Sequence, residues 1–328
     1  MRAYLVPRKA DDQLYGEVCQ VPTRRLPDGD VLIAVRYSSL NYKDALAAQG
    51  HPGIVKGFPH VPGIDAAGQV VQSSSSRWPV GCEVLVTGYD LGAGRWGGWA
   101  EYIRVPADWP VALPTDRDAQ WAMAMGTAGL TAALAVDSLI HEGIQPGTGP
   151  VLVTGATGGV GALAVRLLAH VGYEVAASTG KKDRHDWLKR LGASQILDRN
   201  ELVAPKDKAL LSARWAGAID TVGGSTLATI LRSLRPSGCV AACGLVGGPN
   251  LEISVYPFLL RGVKLIGIDS AWCPHARRVE LWRRLAGEWY LDNWTELCRV
   301  VDWEGLVQAV PAILSGQLVG RTVLSVAP

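Results

Sequence analysis

The sequence predicts a two-domain α/β protein: a doubly wound parallel sheet in the second half of the chain, and a β-barrel-like domain built mainly from the first. Three observations lead there. Six strand-like segments follow one another from Val151, several of them separated by helical periodicity, which is the pattern of a parallel sheet with crossover helices. Residues 1 to about 123 are instead rich in Val, Pro and Gly, with short strand-like runs punctuated by turns. Near Met125-Gly126-Thr127 the texture changes, and the Ala/Leu-rich run Ala128–Ile140 reads as a helix leading into the second domain.

Taken in order, Met1–Pro7 is a short strand, and Val31–Tyr37, Ala67–Val71 and Glu83–Thr87 are further strands of the first domain. The six strands of the parallel sheet are Val151–Thr154, Glu174–Ser178, Gln195–Leu197, Ala218–Val222, Cys239–Cys243 and Lys264–Ile268. Leu163, Leu167 and Val171 recur four apart, so a helix between the first two strands has one apolar face. Arg277–Leu291, dense in Arg, Leu and Trp, reads as a helix, and Thr322–Val326 as a final strand that rejoins the first domain. The expected division is residues 1–123 with 272–328 for one domain and 124–271 for the other.

Composition narrows the function classes. Hydrophobic residues make up 48% of the 328 residues and charged residues 19%, as in a globular protein. The net charge of +2 is small and the basic residues are dispersed, which argues against nucleic acid as a partner. The N-terminus lacks the apolar run of a signal peptide, and the apolar stretches read as broken short of the roughly 20 residues that span a bilayer. A cytoplasmic address and no membrane partner are expected. The six cysteines are dispersed without a C-x-x-C pair, so neither a disulfide framework nor a structural zinc site is indicated. Cys239 and Cys243 fall on one face of an apolar strand and read as buried, inert thiols.

Chemistry enters at Thr154-Gly-Ala-Thr-Gly-Gly-Val-Gly161, between a predicted strand and a predicted helix. Glycines there let the backbone approach a pyrophosphate, and free N–H groups at the helix start face the anion. The dinucleotide-binding Rossmann fold follows. Sites selective for NAD carry Asp or Glu at the end of the second strand. Here that region reads Ser178-Thr-Gly-Lys-Lys-Asp-Arg184, with small hydroxyl residues followed by cations, which suits the 2′-phosphate of NADPH. Asp183 lies past the strand end, where helix capping is its ordinary role.

These segments, together with Ser38–Leu46, Val61–Gly68, Trp96–Glu101, Gly126–Thr131, Gly217–Gly223, Cys243–Gly248 and Gly320–Thr322, resemble the zinc-independent, quinone-oxidoreductase-like branch of the medium-chain dehydrogenases/reductases. Within it the likeness is strongest to NADPH-dependent acryloyl-CoA reductases and runs nearly end to end. Asn41-Tyr-Lys-Asp-Ala-Leu46 is its most specific segment. The resemblance implies a GroES-like catalytic domain beside the Rossmann domain, and a homodimer with the sheet edge after Lys264–Ile268 as its interface. Zinc-using relatives carry Gly-His-Glu where this chain has Gly63-Ile64-Asp65, and a Cys where it has Asn41, so the catalytic zinc ligands are missing. His51 and His60 read as loop histidines rather than ligands.

The same resemblance implies the cofactor contacts. Tyr42 lies by the nicotinamide half, and Thr157, Gly158, Gly159 and Val160 hold the pyrophosphate. Thr179, Gly180 and Lys181 meet the adenosine ribose and its 2′-phosphate, with Arg199 at the end of the third strand. Leu245, Ser270, Leu259 and the Gly316-Gln317 turn complete the set. The implied reaction is reduction of an activated C=C bond, acryloyl-CoA to propanoyl-CoA, with Asn41 and Tyr42 as donors to the developing enolate and Tyr42 or a water as proton source. Asp44 is a third catalytic candidate, with capping of the following helix as its plainer role. Quinone or enone reduction on the same residues is the alternative, and an NADPH-binding sensor without turnover is the alternative of another class.

Overall fold

Along Val31–Leu40 every second residue at the start of the segment is buried, and the last three are buried together. That alternation seats one sheet face on a core, and the buried end carries the strand into the interior. The computed structural model describes residues 1–7, 16–203 and 208–326. The chain divides into two units: Met1–Ala128 with Ser270–Ala286 and Asp292–Pro328, and Gly129–Asp269 with Gly287–Leu291.

The first unit begins with β1 (Arg2–Leu5), β2 (Glu17–Gln20), β3 (Val31–Leu40), α1 (Tyr42–Ala48), β4 (Asp65–Ser73), β5 (Glu83–Thr87), β6 (Tyr102–Val105) and β7 (Val111–Ala112). The expected strands are all present here. α2 (Ala119–His141) starts nine residues before the expected Ala128, and its backbone is non-helical at Gly126, where φ is 52°. Contrary to expectation, one helix among the described residues is long and apolar enough to cross a membrane: α2, of 23 residues. Its apolar window is 78% buried inside the protein, which is how a core helix meets the same criterion.

In the second unit follow β8 (Val151–Val153), α3 (Gly159–His170), β9 (Val175–Thr179), α4 (His185–Arg190), β10 (Gln195–Asp198), β11 (Trp215–Asp220), α5 (Gly224–Ser233), β12 (Leu234–Ala242), α6 (Tyr256–Arg261) and β13 (Lys264–Gly267). All six strands pair in parallel in the order β10-β9-β8-β11-β12-β13. The order reverses at β8, and in such sheets the crevice at the carboxyl end of that strand is where ligands bind. Buried Leu152, Ala176, Ala218, Ile230 and Val240 fill the core of this unit. The strand bounds shift by one to five residues from expectation, and two of the shifts fall beside residues singled out above. Thr221 and Val222 leave the fourth strand because Thr221 bonds to Thr154 through both its N–H and its hydroxyl. Cys243 lies one residue beyond β12 and is half-buried rather than buried, its N–H still donating to the Asp220 carbonyl. Burial pushes its thiol up to about 12, and that of Cys239 up to about 11.

The chain then adds α7 (His275–Ala286), β14 (Cys298–Val301), α8 (Trp303–Leu314) and β15 (Arg321–Ser325). The expected helix Arg277–Leu291 stops at Ala286, ahead of a glycine, and Glu288 belongs to the second unit, its carbonyl accepting from His170. In the first unit β14-β15-β3-β4-β5-β7 form one mixed sheet with β6 on β3; β15 rejoins this unit as expected, pairing antiparallel with β3. Tyr4, Ile33, Trp99 and Ile103 anchor its core, with Tyr4 edge-on to Trp99 at 5.3 Å.

Candidate active site

In the first unit, the strand β3 ends at Leu40 and α1 begins two residues later, so Asn41 and Tyr42 sit at a strand-to-helix turn. Asp44 is the third residue of α1 and is completely buried. Its Oδ2 accepts from the Asn41 N–H (2.8 Å) and from Asn41 Nδ2 (3.0 Å), and its Oδ1 from the N–H groups of Gly63 (3.1 Å) and Ile64 (2.8 Å). Asp44 thus reaches back to hold the start of its own helix and clamps the next loop at the same time.

A second buried carboxylate lies beside it. Asp65 accepts from Ser39 Oγ (2.5 Å), Asn41 Nδ2 (2.8 Å), and the N–H and hydroxyl of Thr127 (3.0 and 2.6 Å). Arg321 Nη2 lies 3.7 Å from Asp65 Oδ2, while Arg321 Nη1 donates to Asn41 Oδ1 (3.0 Å) and Nε to the Ala124 carbonyl (3.0 Å). Gly126 is required where α2 breaks, because a Cβ there would come within 2.5 Å of Asp65 and 2.9 Å of Arg321. Two carboxylates and one guanidinium are buried together, so the cluster is neutral only when it holds one proton. Burial, then the Asp65 carboxylate, push Asp44 up to about 7 against its four N–H donors.

These contacts revise the roles expected of Asn41 and Asp44. Both Asn41 side-chain atoms are engaged within the cluster, and Asp44 has no exposed surface with which to meet a substrate. They are positioning residues for the first turn of α1. Tyr42 is the first residue of that helix and is 40% exposed. Asp65 and Arg321 were missed as participants. Both lie in segments that carried the resemblance, Val61–Gly68 and Gly320–Thr322, and a buried Asp paired with a buried Arg has no signature in either segment alone.

The donor set does not fit zinc. Ile64 occupies the ligand position, and the carboxylate that follows it already faces hydroxyls, an amide and a guanidinium. Among the described residues no group of three or more His, Cys, Asp or Glu side chains is placed to hold a metal. His51 is exposed, as expected of a loop histidine, whereas His60 is buried with Nε2 3.0 Å from the Gly92 carbonyl.

In the second unit the phosphate loop follows β8. Gly155 takes φ 55°, and a Cβ on Gly161 would lie 2.3 Å from the Gly155 carbonyl, so the loop closes tightly onto the first turn of α3. Gly158 caps α3, with Gly159 and Val160 as its first residues. Thr157 Oγ1 lies 3.2 Å from Thr179 Oγ1 at the end of β9, and the Lys181 N–H donates to the same Thr179 hydroxyl. The Arg199 side chain packs on Gly180, where a Cβ would meet its Nε at 2.9 Å. Thr157, Thr179, Gly180, Lys181 and Arg199 therefore form one group. The loop is locked to its neighbours by Thr154, whose hydroxyl donates to the fully buried Asp220 (2.6 Å) and accepts from the Thr221 N–H. Asp220 was not singled out from the sequence. The close approach a pyrophosphate needs, and the helix start that faces it, are both present, so these residues fit a dinucleotide.

The remaining candidates scatter. Leu245 follows β12, 64% exposed, in a loop that approaches Gly223 after β11. Leu259 is on the exposed face of α6, and the nearby Arg261 donates to the carbonyl of Leu234, the first residue of β12. That is the amino end of the sheet, so Leu259 is not brought to the phosphate loop. Ser270 and Gly316 belong to the first unit. The Ser270 carbonyl accepts from the buried Arg278, and Gly316 takes φ 70° just past α8, the ordinary place for a helix-ending glycine.

Residues 27–115 match the alcohol dehydrogenase GroES-like domain, and residues 159–285 match the zinc-binding dehydrogenase family. The chain is 47% identical to acrylyl-CoA reductase AcuI of Ruegeria pomeroyi over 94% of both chains. It belongs to the medium-chain dehydrogenases/reductases. Another member, the quinone-oxidoreductase-type protein YhfP of Bacillus subtilis, is 44% identical over 98% of this chain and 97% of its own, and a solved structure of it holds NAD. The yhdH oxidoreductase of Salmonella enterica, solved in complex with NADP, is 45% identical, with a TM-score of 0.95 over 99% of both chains. This medium-chain dehydrogenase/reductase has the fold expected from its sequence, a parallel Rossmann sheet and a GroES-like domain.

Proposed function

We propose that this protein is an NADPH-dependent reductase of an activated carbon–carbon double bond, converting acryloyl-CoA to propanoyl-CoA. The observation that carries the cofactor choice is the group at the end of β9, where Arg199 packs on Gly180 beside Thr179 and Lys181 with no carboxylate at the strand end. A 2′-phosphate is favoured there by charge and by hydroxyl donors. The reaction is supported by the identity to an acrylyl-CoA reductase along nearly the whole chain.

Thr157, Gly158, Gly159 and Val160 would hold the pyrophosphate of NADPH, which when bound supplies a hydride for the β-carbon of the acyl group. Negative charge then develops on the thioester oxygen and must be met by hydrogen-bond donors of the chain. Tyr42 is assigned the delivery of a proton to the α-carbon, directly or through a water. Asn41, Asp44, Asp65 and Arg321 act through it, by fixing the turn on which Tyr42 stands. No zinc takes part in this reading, because Ile64 and the hydrogen-bonded Asp65 stand where ligands are needed.

The test is kcat/KM for acryloyl-CoA with NADPH against that for a simple quinone. A clear preference for the thioester supports the reading, and an equal or greater value for the quinone overturns it in favour of quinone reduction, the activity for which YhfP is named. Stoichiometric NADPH binding without turnover on thioesters, enones or quinones would instead indicate a sensor. We assign a cytoplasmic location, which suits six cysteines that are all free thiols. We also assign a homodimer: β13 is the edge of its sheet, Leu265 on it is 37% exposed, and Leu260 on the preceding helix is 64% exposed. Sedimentation at micromolar concentration should give twice the chain mass.

A further inference from the structure

The first unit contains a cavity of about 430 Å³ that the reductase reading leaves without a role. Lys56, Arg95, Trp96 and the buried His60 line it together with glycines and prolines, and no carboxylate is among its lining residues. The Arg25 guanidinium stands 5.7 Å from the centre of the Trp96 ring, which adds a third cation beside that indole. Trp96 is fixed from behind, its Nε1 donating to the Pro59 carbonyl at 2.8 Å. Arg95 is held over Trp109 and donates to the Asp28 carbonyl. Surface lysines and arginines are usually dispersed in solvent, but these converge on a concave site beside an anchored indole. That combination suits a ligand with phosphates and a flat base.

The cavity is also tied to the catalytic turn. His60 in its wall stands only four positions before Ile64, a stretch that spans at most about 14 Å. The Ile64 N–H donates to Asp44, which holds the first turn of α1 and hence Tyr42. Gly92, whose carbonyl meets His60, packs against Gly63 so closely that a Cβ on it would lie 2.6 Å away. A substrate whose reacting acyl group is joined by a flexible arm to a phosphorylated nucleotide has the length and the chemistry to use both places.

We infer that this cavity is the subsite for the phosphate-bearing nucleotide end of coenzyme A, with Lys56 and Arg95 on the phosphates and Trp96 beside the base. The inference rests on the acyl-CoA reading of the active site and deepens it, by locating the binding energy that distinguishes an acyl-CoA from a small enone.

The experiment compares acryloyl-CoA with acryloyl-pantetheine, which carries the same reacting group and no nucleotide, in the full-length protein with NADPH. For Lys56→Glu and Arg95→Glu the ratio of kcat/KM for the two substrates should fall by at least tenfold, about the loss of one charge-assisted contact, and mostly through KM. Lys56 is exposed, so its replacement leaves the fold intact, and Lys56→Ala should show a smaller fall in the same direction. In parallel, free coenzyme A should quench tryptophan fluorescence of the NADPH-bound protein, with a Kd at least tenfold weaker in the Lys56→Glu protein. An unchanged substrate ratio in both Glu variants, with acryloyl-CoA still reduced, overturns the subsite and leaves the reductase reading standing. If the protein reduces no acyl-CoA but the charge reversal still weakens coenzyme A binding, the reductase reading fails and the subsite stands.

Discussion

Asp44→Asn isolates the proton held by the buried carboxylate cluster. The side chain is fully buried, and its pKa is pushed from 3.8 up to about 7 by burial and by Asp65. In the native protein Asp44 is therefore protonated between about pH 4 and 7, while in the unfolded chain it is already ionised. The native state binds more protons across that window, so the contribution of Asp44 to stability falls as pH rises through it and is constant on either side. One proton gives a slope of at most about 1.4 kcal/mol per pH unit, and the window amounts to about 4 kcal/mol in all. Asparagine cannot titrate. It keeps an acceptor for two of the four N–H donors and turns an NH2 group toward the other two, which costs about 1–3 kcal/mol for each donor left unpaired. The variant should be clearly less stable than the wild type near pH 4.5, and the gap should close, by up to about 4 kcal/mol, on going to pH 8. Urea midpoints for both proteins at half-unit intervals of pH read this directly. A gap of the same size at every pH would refute the reasoning: Asp44 would then be ionised throughout, with its four N–H donors outweighing burial.

Tyr42→Phe should lower kcat by about 10²-fold while leaving NADPH affinity nearly unchanged, the cost of removing one donor at the reacting centre; full turnover would return Tyr42 to packing. Lys181→Ala should raise KM for NADPH by about one decade and barely alter the weaker use of NADH, since a charge-assisted contact is worth roughly 1.5–3 kcal/mol. Equal loss with both cofactors would move Lys181 from the 2′-phosphate to the fold or the pyrophosphate. Dialysis against a chelator should leave turnover intact and metal content far below one equivalent per chain, and stoichiometric zinc whose removal abolishes activity would overturn the zinc-free reading.

Much of the architecture was readable from local pattern. The six strands of the parallel sheet and the glycine loop are legible because period and turn chemistry are written in neighbouring residues. The same holds for the return of Thr322–Val326 to the first unit. That Thr179, Gly180 and Lys181 stand beside the loop follows from the standard relation between the first and second strands of such a sheet.

What escaped the sequence was decided by packing between distant segments. Asn41 and Asp44 read as chemistry because their segment is specific, yet the fold turns both inward and spends their hydrogen bonds on Gly63, Ile64, Asp65 and Arg321. Arg321 meets Asn41 across 280 residues of chain, and Asp65 meets Thr127 across 62. No local pattern encodes such pairs. The length of α2 has the same origin: Gly126 and Asp65 together set where it breaks, and a helix apolar enough to cross a bilayer is a core helix only because other segments bury it. The sequence by itself determined the class of fold, the phosphate loop and the absence of a zinc ligand at Ile64, since each depends on residues within a few positions of one another. The tertiary structure alone decided which polar residues are exposed to a ligand and which are locked in a buried charge cluster, because burial and ion pairing are properties of distant segments brought together.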